Sequence, residues 1–194
     1  MLCLKTPNSG GLFSLTSSVA VYHEIMKRRP DLVKILEEPF INDRRGEVPE
    51  GKKDTFEMAA YYHYQGRLLS FMDRDFITAA QTHSYVPRLT KEQVEAIDML
   101  EAIAEEDGMY LDLEWEAGAF AFVHNHQILH SRTAYEDVDE PERRRHNLCL
   151  WLSAKNGWEL PPDFAERYGE IADGKKRGGI VVPGMKLTTP FEAE

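Results

Sequence analysis

The segment HNHQILHSR, residues 124–132, contains three of the seven histidines and constrains the fold more than any other stretch. In an extended strand the side chains alternate between faces, so His124, His126 and His130 would point to the same side. At roughly 3.3 Å per residue, His124 and His126 are about 6.6 Å apart, but His126 and His130 are about 13 Å apart. That second distance is too long for one shared ion, because a metal-bound histidine nitrogen lies about 2.1 Å from the metal. A site that uses all three histidines therefore requires the chain to bend after His126.

Runs with strand character lie on both sides of this segment. MYLDLEW and AFAFVHN come before QILHSR, and LCLWLS follows it after a charged loop. Nearer the N-terminus, MLCL predicts a short strand, and AYYHYQGRLLSFM predicts a hairpin that turns at Gly66. The polar stretch between Ile41 and Lys53 is typical of an exposed loop.

Capping signals predict three helices. Ser17 or Ser18 can cap a helix over VAVYHEIMKRR that the next proline stops, and Asp31 can begin a second helix over LVKILEE. Thr90 and Gln93 form a capping box for KEQVEAIDMLEAIAEED, a helix ended by the following glycine. The predicted apolar stripe of this last helix is Val94, Ile97, Met99 or Leu100, and Ile103.

The composition suits a single globular domain over residues 1–194. With 42% hydrophobic and 10% aromatic residues, a chain of 194 residues can bury a core. The pattern predicts a mixed, β-rich fold with helices, and residues 170–194 read as a loosely held tail.

Charge and cysteine content argue against several classes of protein. A net charge of −10 disfavours a nucleic acid or an anionic membrane as partner, because neither offers counter-charge to an acidic protein. Cys3 and Cys149 have no C-x-x-C spacing, so neither a disulfide scaffold nor a thiolate zinc cluster is indicated. No segment approaches 18 apolar residues, and the N-terminus lacks the apolar run of a signal peptide. We therefore expect a cytoplasmic protein.

One resemblance concerns the histidines alone. Gly118, five residues, His124, one residue and His126 resemble the first half of a cupin motif, with His130 where a glutamate is usual. Cupins are small β-barrels that hold a metal ion between such side chains. This resemblance implies a cupin-type metalloenzyme that uses His124, His126 and His130.

A second resemblance covers nearly the whole chain. The segments LCLKTPNSGG, SLTSSVAVYHEIMKRRPDL, INDRRGEVPEG, VHNHQILHSRTAYEDVDEPERRRHNLCLWLS and FAERYG occur in the order seen in TauD/TfdA-like Fe(II)/2-oxoglutarate-dependent dioxygenases. HNHQILHSRTAYED is similar to the family pattern N-N-H-x-x-L-H-x-R-T-x-[FY]-E-D, in which the histidine at His130 is the distal iron ligand. The resemblance implies a double-stranded β-helix (a jelly roll, clavaminate synthase-like) with helices packed outside it. It also implies that HNH lies in a turn before the strand that carries His130.

The same resemblance implies Fe(II) and 2-oxoglutarate as cofactors, and oxidation of a small organic acid or amine as the activity. In this chemistry two histidines and one carboxylate hold the iron and leave three positions open for 2-oxoglutarate and O2. The family's other two ligands form an H-x-[DE] pair just before the strand that MLCL resembles, and the 194 residues contain no such pair. We therefore expect a fold incomplete at the N-terminus, a chain that is inactive by itself, and self-association through the incomplete sheet.

Three residues depart from the family pattern near the cofactor. Phe13 stands where a serine or threonine helps to hold 2-oxoglutarate, and Ala119 replaces an acidic residue after a turn glycine. Cys149 stands at the second arginine of a run resembling R-H-x-x-R-L-W-L, where the family pairs a guanidinium with the distal carboxylate of 2-oxoglutarate. Arg145 lies four residues earlier, on the same face of the predicted strand, and is our candidate to bind that carboxylate.

Three hypotheses stay open on these residues. The chain is a TauD/TfdA-like dioxygenase domain with His130 and Arg145 in its site, a cupin-type metalloenzyme, or a non-catalytic remnant that binds a ligand or partner through the old pocket. Metal content separates the last two, because only the cupin hypothesis predicts stoichiometric metal that is lost when His124 or His126 is substituted.

Overall fold

The structure is a computed structural model, and it describes residues 1–154, 156–169 and 171. The tail predicted over residues 170–194 therefore lies, except for Ile171, outside the described residues. The strands are β1 (Leu2–Lys5), β2 (Ser9–Gly10), β3 (Phe13–Ser17), β4 (Pro39–Asp43), β5 (Thr55–Ala59), β6 (Tyr61–Tyr64), β7 (Arg67–Ser70), β8 (Tyr110–Leu113), β9 (Ile128–Arg132), β10 (Tyr135–Glu136) and β11 (His146–Leu148). The helices are α1 (Ser18–Arg28), α2 (Pro30–Leu36), α3 (Arg74–Ala80), α4 (Lys91–Ala104) and α5 (Ala165–Tyr168), with 3₁₀ turns at Pro141–Arg143 and Pro162–Phe164.

β3 is the central strand of an antiparallel three-stranded sheet, with β8 on one side and β9 on the other. Leu15 of β3 pairs with Leu111 of β8 and with His130 of β9. Directly paired residues point to the same face of a sheet, so these three side chains share one face and Thr16 faces the opposite way. Thr16 Oγ1 donates a hydrogen bond to the Ala104 carbonyl oxygen at 3.0 Å. The end of α4 therefore lies against the face opposite to His130.

A second, smaller sheet is built on β1. Leu2 of β1 pairs with Leu148 of β11, and on the other edge it forms a bridge with Phe120. Backbone hydrogen bonds continue this second edge on both sides of the bridge, from Cys3 N to the Ala119 oxygen at 2.9 Å and from Met1 N to the Ala121 oxygen at 2.8 Å. We call the three segments together, residues 119–121, β1 and β11, the small sheet.

Trp115 joins the small sheet to the sheet around β3. Its ring centroid lies 5.1 Å from that of Phe13 in β3, and its Nε1 donates a hydrogen bond to Asn147 Oδ1 in β11 at 3.1 Å. Cys3 pairs with Asn147 and is fully buried. One face of the small sheet therefore looks toward Phe13 and the face that carries His130.

The main hydrophobic core packs α1, α2 and α4 together. Two of the three helix starts predicted from sequence are confirmed, because Ser17 caps α1 through the Ala20 amide and Thr90 and Gln93 form the capping box of α4. Fully buried residues of this core include Val21, Ile25, Leu32, Leu36, Phe40, Tyr61, Ile97, Leu100 and Ile103. Burial of each such aliphatic side chain contributes about 1.5 to 3 kcal/mol before the entropy cost of folding is counted.

A second core cluster attaches the C-terminal described segment to the hairpins. It consists of Phe56, Met58, Leu69, Leu160, Phe164 and Tyr168. The α5 region therefore packs on β5 and β7.

The β6–β7 hairpin turns at Gln65 and Gly66, both with positive φ, which confirms the predicted turn.

Two predicted strands form only in the short stretches that pair with β1. AFAFVHN contributes only the short edge at residues 119–121, and LCLWLS contributes only Leu148, because β11 spans His146–Leu148. Both segments pair with β1, and β1 begins at Leu2. A strand needs a hydrogen-bonded neighbour, so neither segment continues as a strand where β1 ends.

Smaller corrections concern the helices and one loop. α2 begins at Pro30 instead of Asp31, since the fixed φ of proline suits the first helical position. Val94 is exposed and Ala96 takes its place in the apolar stripe of α4, which ends at Ala104. Ile41 belongs to β4 instead of the predicted loop.

Within the described ranges, every helix is too short or too polar to cross a lipid bilayer.

His83 connects the end of β4 to the start of β5. Its Nε2 lies 2.5 Å from Asp43 Oδ2, and its Nδ1 lies 3.6 Å from Asp54 Oδ2. The hydrogen bond with Asp43 raises the pKa of His83, and the same bond lowers the pKa of Asp43. The ion pair is therefore lost at high pH, where His83 gives up its proton, and at low pH, where Asp43 gains one.

This pair predicts a pH window for its contribution to stability. The His83 contribution is complete below its unfolded pKa of about 6.5 and is lost as the pH rises through the raised folded pKa. The Asp43 contribution is complete above about pH 4 and is lost as the pH falls through the lowered folded pKa. We expect the difference in melting temperature between the natural chain and His83→Asn to be largest between about pH 4 and about pH 6.5. Circular dichroism melts over a pH series measure it.

The matched control is His23→Asn, which removes an exposed histidine from α1. It should leave the melting temperature unchanged relative to the natural chain across the series. A melting difference for His83→Asn that is the same at about pH 5 and about pH 9 would contradict the ion pair.

Candidate active site

His130 lies in the middle of β9 with an exposed side chain. Its pairing with Leu15 directs it to the face of the sheet away from α4. Its ring meets the Phe13 ring edge-on, with 6.2 Å between centroids, and Phe13 also contacts Trp115. His130 therefore faces the space between the two sheets, where an imidazole can bind a ligand.

His124 and His126 lie elsewhere. They belong to the turn before β9, in which the Gln127 and Ile128 amides both donate to the His124 carbonyl oxygen, so the predicted bend is confirmed. The His124 ring lies 4.4 Å from the Trp158 ring, and the His126 ring lies 5.3 Å from the Phe164 ring. The part of the chain that the structure describes contains no group of three His, Cys, Asp or Glu residues able to hold a metal. The three-histidine site of the cupin hypothesis is therefore not assembled.

Two glycines bring the loop before β3 against β10. Gly10 and Gly11 have φ values of 70° and 73°, in the region that L side chains rarely adopt. A Cβ atom at Gly10 would lie 2.3 Å from the Ala134 carbonyl oxygen, and one at Gly11 would lie 3.7 Å from Arg145 Nε. Glycine at position 10 therefore lets the backbone pass directly against Ala134, and Gly11 lies beside the Arg145 guanidinium.

Arg145 is held from several directions but keeps an unused donor. Its backbone amide donates to both carboxylate oxygens of Asp137, at 2.9 and 3.1 Å. Its guanidinium lies 5.3 Å from the Tyr135 ring centroid, and the guanidinium of Arg132 lies 4.2 Å from the same ring. Arg145 Nε is buried and has no hydrogen-bond partner among the described residues. A buried donor without a partner is costly, so this N–H marks a place where an acceptor can bind.

The buried Cys3 thiol is part of the same electrostatic environment. Burial raises the pKa of Cys3, and the positive charge of Arg145 opposes part of that shift.

Cys149 does not share a strand with Arg145, and this corrects our prediction. Arg145 precedes β11 and Cys149 follows it, because the strand spans only His146–Leu148, and Cys149 is exposed. Phe13 is buried and packs against Trp115, so it fills space and offers no hydrogen bond. Ala119 accepts a hydrogen bond from Cys3 N through its carbonyl oxygen, which gives it a structural role.

A cavity of about 860 Å³ opens beside β9. Most of its lining comes from the face of the sheet that carries Thr16, including Asp112, and from Leu100 of α4 and Arg167 of α5. His130 and Arg132 also belong to the lining. Pockets that bury small organic molecules measure about 300 to 1,000 Å³. There is therefore room for a small molecule, mainly on the side of the sheet that faces α4.

The residues present fit the two expected cofactors unequally. Arg145 Nε, aligned beside the glycine loop, suits a carboxylate, since guanidinium groups pair with carboxylates through charge-assisted hydrogen bonds. Iron in this chemistry needs two histidines and one carboxylate, and the described residues bring only His130 to the site. The 194 residues therefore fit the organic acid and do not by themselves fit the metal.

Sequence reasoning missed the contact of Tyr135 with Arg145. Tyr135 lies in the motif TAYED, but its motif position does not reveal that two arginines stack on its ring. The signal that could have found it is the pairing of the glycine loop with TAYED, since Gly10 lies opposite Tyr135.

Comparisons with known proteins extend these observations. Among solved structures, the chain is similar to the non-heme iron oxygenase OrfP in complex with Fe, with a TM-score of 0.45, 15% identity, and coverage of 74% of this chain and 42% of that one. Among curated proteins, it is 28% identical to FR-33289 synthase of Streptomyces rubellomurinus over 90% of this chain and 52% of that protein. It is 29% identical to taurine hydroxylase-like protein SAT17 of Stachybotrys chartarum over 86% of this chain and 43% of that protein.

The chain thus spans about half the length of the curated relatives it matches. Residues 1–151, which include β1, the glycine loop, His130 and Arg145, match the family described as Taurine catabolism dioxygenase TauD, TfdA family. This match covers most of the chain, and the chain belongs to the TauD/TfdA family of dioxygenases.

Proposed function

We propose that this chain carries the 2-oxoglutarate-binding side and one iron ligand of an Fe(II)/2-oxoglutarate-dependent oxygenase site. Arg145 binds the distal carboxylate of 2-oxoglutarate, and His130 is an iron ligand. The observation that carries the proposal is the buried Arg145 Nε, which has no partner among the described residues and lies beside Gly11.

Membership of the TauD/TfdA family supports the class of reaction. The family implies a double-stranded β-helix and iron-dependent oxygenase chemistry. When bound, iron and 2-oxoglutarate supply the oxidising power that removes a hydrogen from an organic substrate. We propose a small organic acid or amine as that substrate, and the cavity of about 860 Å³ that reaches His130 from the α4 side of the sheet has a suitable volume.

The residues around Arg145 prepare it for a carboxylate. Asp137 holds its backbone amide, and the Tyr135 ring lies against its guanidinium. A guanidinium held in place before binding loses less side-chain entropy when the anion arrives. Gly11 keeps a side chain away from this donor, since a Cβ there would be strained and would lie 3.7 Å from Arg145 Nε.

The iron requires more ligands than this sequence contains. His130 supplies one nitrogen, and the family's H-x-[DE] pair is absent from the 194 residues. One protein ligand in place of three leaves the ion mostly hydrated. We therefore propose no catalytic step for the chain by itself.

The 194-residue chain should bind Fe(II) weakly and should release no CO2 from 2-oxoglutarate, because His130 cannot hold the metal alone. Anaerobic titration with Fe(II) and a radiolabelled CO2-release assay measure the two properties. Stoichiometric iron with turnover of 2-oxoglutarate would show that the chain contains a complete site and that our ligand assignment is wrong.

Arg145→Ala should weaken 2-oxoglutarate binding, because one charge-assisted contact contributes about 1.5 to 3 kcal/mol. With so few contacts, the natural chain should bind with a dissociation constant of roughly 1 mM, and the variant should give no measurable heat in titration calorimetry. Arg143→Ala is the matched control, since it removes the same charge from a side chain that is 66% exposed. The control should bind like the natural chain.

Cys149→Arg tests the family position directly. Cys149 is exposed and lies outside β11, so solvent screens any new charge there. We expect 2-oxoglutarate to bind more tightly by less than about 1 kcal/mol, well below the effect of Arg145. If the natural chain and all three variants fail to bind, the pocket is lost and the non-catalytic remnant is the better hypothesis.

A further inference from the structure

The HNHQ turn, residues 124–127, packs its two histidine rings against the C-terminal part of the described chain. The His124 ring lies 4.4 Å from the Trp158 ring, measured between centroids. The His126 ring lies 5.3 Å from the Phe164 ring and 6.1 Å from the Tyr168 ring. We call these three partners of the turn the aromatic clamp: Trp158, Phe164 and Tyr168.

The aromatic clamp is itself held firmly in the protein. Phe164 and Tyr168 are buried members of the second core cluster, and Trp158 packs against that cluster. The Arg67 guanidinium of β7 also lies 4.7 Å from the Trp158 ring centroid. The clamp therefore offers the turn a fixed surface. Two of its members belong to the segment FAERYG, which the proposed binding of 2-oxoglutarate and iron does not use.

Backbone hydrogen bonds attach the same turn to β7 and to the start of α1. The Ser70 amide donates to the His126 carbonyl oxygen at 2.8 Å, and the Ser18 amide donates to the Gln127 carbonyl oxygen at 2.9 Å. β9 begins at Ile128, directly after the turn. The position of the turn therefore determines where β9 starts.

The register of β9 decides which way His130 points. Side chains alternate along a strand, so a slip of one residue against β3 would turn His130 toward α4. The sequence of β9 does not prevent this slip, because Ile128 and Leu129 put an apolar residue on each face, and His130 and Ser131 put a polar residue on each face. A tight hairpin does not fix the register either, since β3 and β9 are more than a hundred positions apart.

We propose that His124 and His126 are positioning residues, which fix the register of β9, and with it the direction of His130, by docking the turn on the aromatic clamp. This inference rests on the proposed role of His130 as an iron ligand. Aromatic rings suit such docking, because edge-to-face pairs favour a defined geometry, and His126 meets both of its clamp partners edge-on. The other two histidines of the segment thus act through His130 and do not bind the metal themselves.

NMR spectroscopy of the full 194-residue chain tests the proposal without any metal. In the natural chain, a nuclear Overhauser effect should connect the backbone protons of Leu15 and His130, and the contact with Phe13 should shift the His130 ring signals. The double substitution His124→Ala with His126→Ala removes both ring contacts with the clamp. We expect a second set of His130 signals without the Phe13 shift, from at least about 10% of the molecules, because β9 then also populates the slipped register.

Two further variants separate ring docking from a general loss of stability. The double substitution His124→Phe with His126→Phe keeps two rings against the clamp and should restore the single natural set of His130 signals. Leu36→Ala is the matched control for stability, because it truncates a fully buried side chain of α2 in the helical core. It should lower the melting temperature and leave the His130 signals as they are in the natural chain.

If the double alanine variant does not fold, His124→Ala and His126→Ala are measured singly, and each should show the second set of signals at a smaller fraction. A single natural set in every folded alanine variant would overturn the proposal, and so would phenylalanine substitutions that behave like the alanine ones. A titration of the natural chain with Co(II) tells this failure from failure of the proposed function. If Co(II) does not broaden the His130 ring signals, His130 is not a metal ligand, whereas the metal-free signals test the positioning alone.

Discussion

The strand from Phe13 to Ser17 hydrogen-bonds to a neighbour on each side, and the rest of the described structure depends on that double pairing. The glycine loop enters the strand, and Ser17 at its other end caps α1. The pairing with β9 sets where His130 points, and the opposite face rests on the end of α4. One short strand therefore links the helical core, the glycine loop and the candidate metal ligand.

Local signals in the sequence predicted the elements that local physics determines. The capping box of α4, the serine cap of α1 and the hairpin at Gly66 each depend on residues within a few positions of one another. The strands after Phe120 and Leu148 were predicted from an apolar pattern alone and do not form. The pattern records which residues favour a strand, but it does not record where the partner strand begins, and β1 begins at Leu2.

Only the part of the candidate site that belongs to a sequence motif was predictable. The motif around His130 led to the family and to the turn before β9, which the structure confirms. The environment of Arg145 was not predictable, because its proximity to Gly11 joins residues more than a hundred positions apart. The position of Cys149 was predicted wrongly because the strand that was expected to contain it ends at Leu148.

The structure therefore provides more of the expected binding residues on one side of the candidate site than on the other. The side that would receive an organic acid is built, with a buried guanidinium, a glycine backbone beside it and an aromatic ring against it. The side that would hold a metal has one histidine from β9. We propose that such an arrangement binds a dicarboxylate more readily than it binds iron.

The measurement that tests the claim most directly is a ¹H–¹⁵N NMR titration of the chain with 2-oxoglutarate, following the arginine Nε–H signals and the loop amides. We expect the Arg145 Nε–H and Gly11 amide signals to shift together and to saturate, because the buried donor gains an acceptor. The Nε–H signal of the exposed Arg143 should stay in place. If the Arg145 signal does not move, or if Arg143 and Arg145 shift equally, then Arg145 does not bind the carboxylate and the proposed site is wrong.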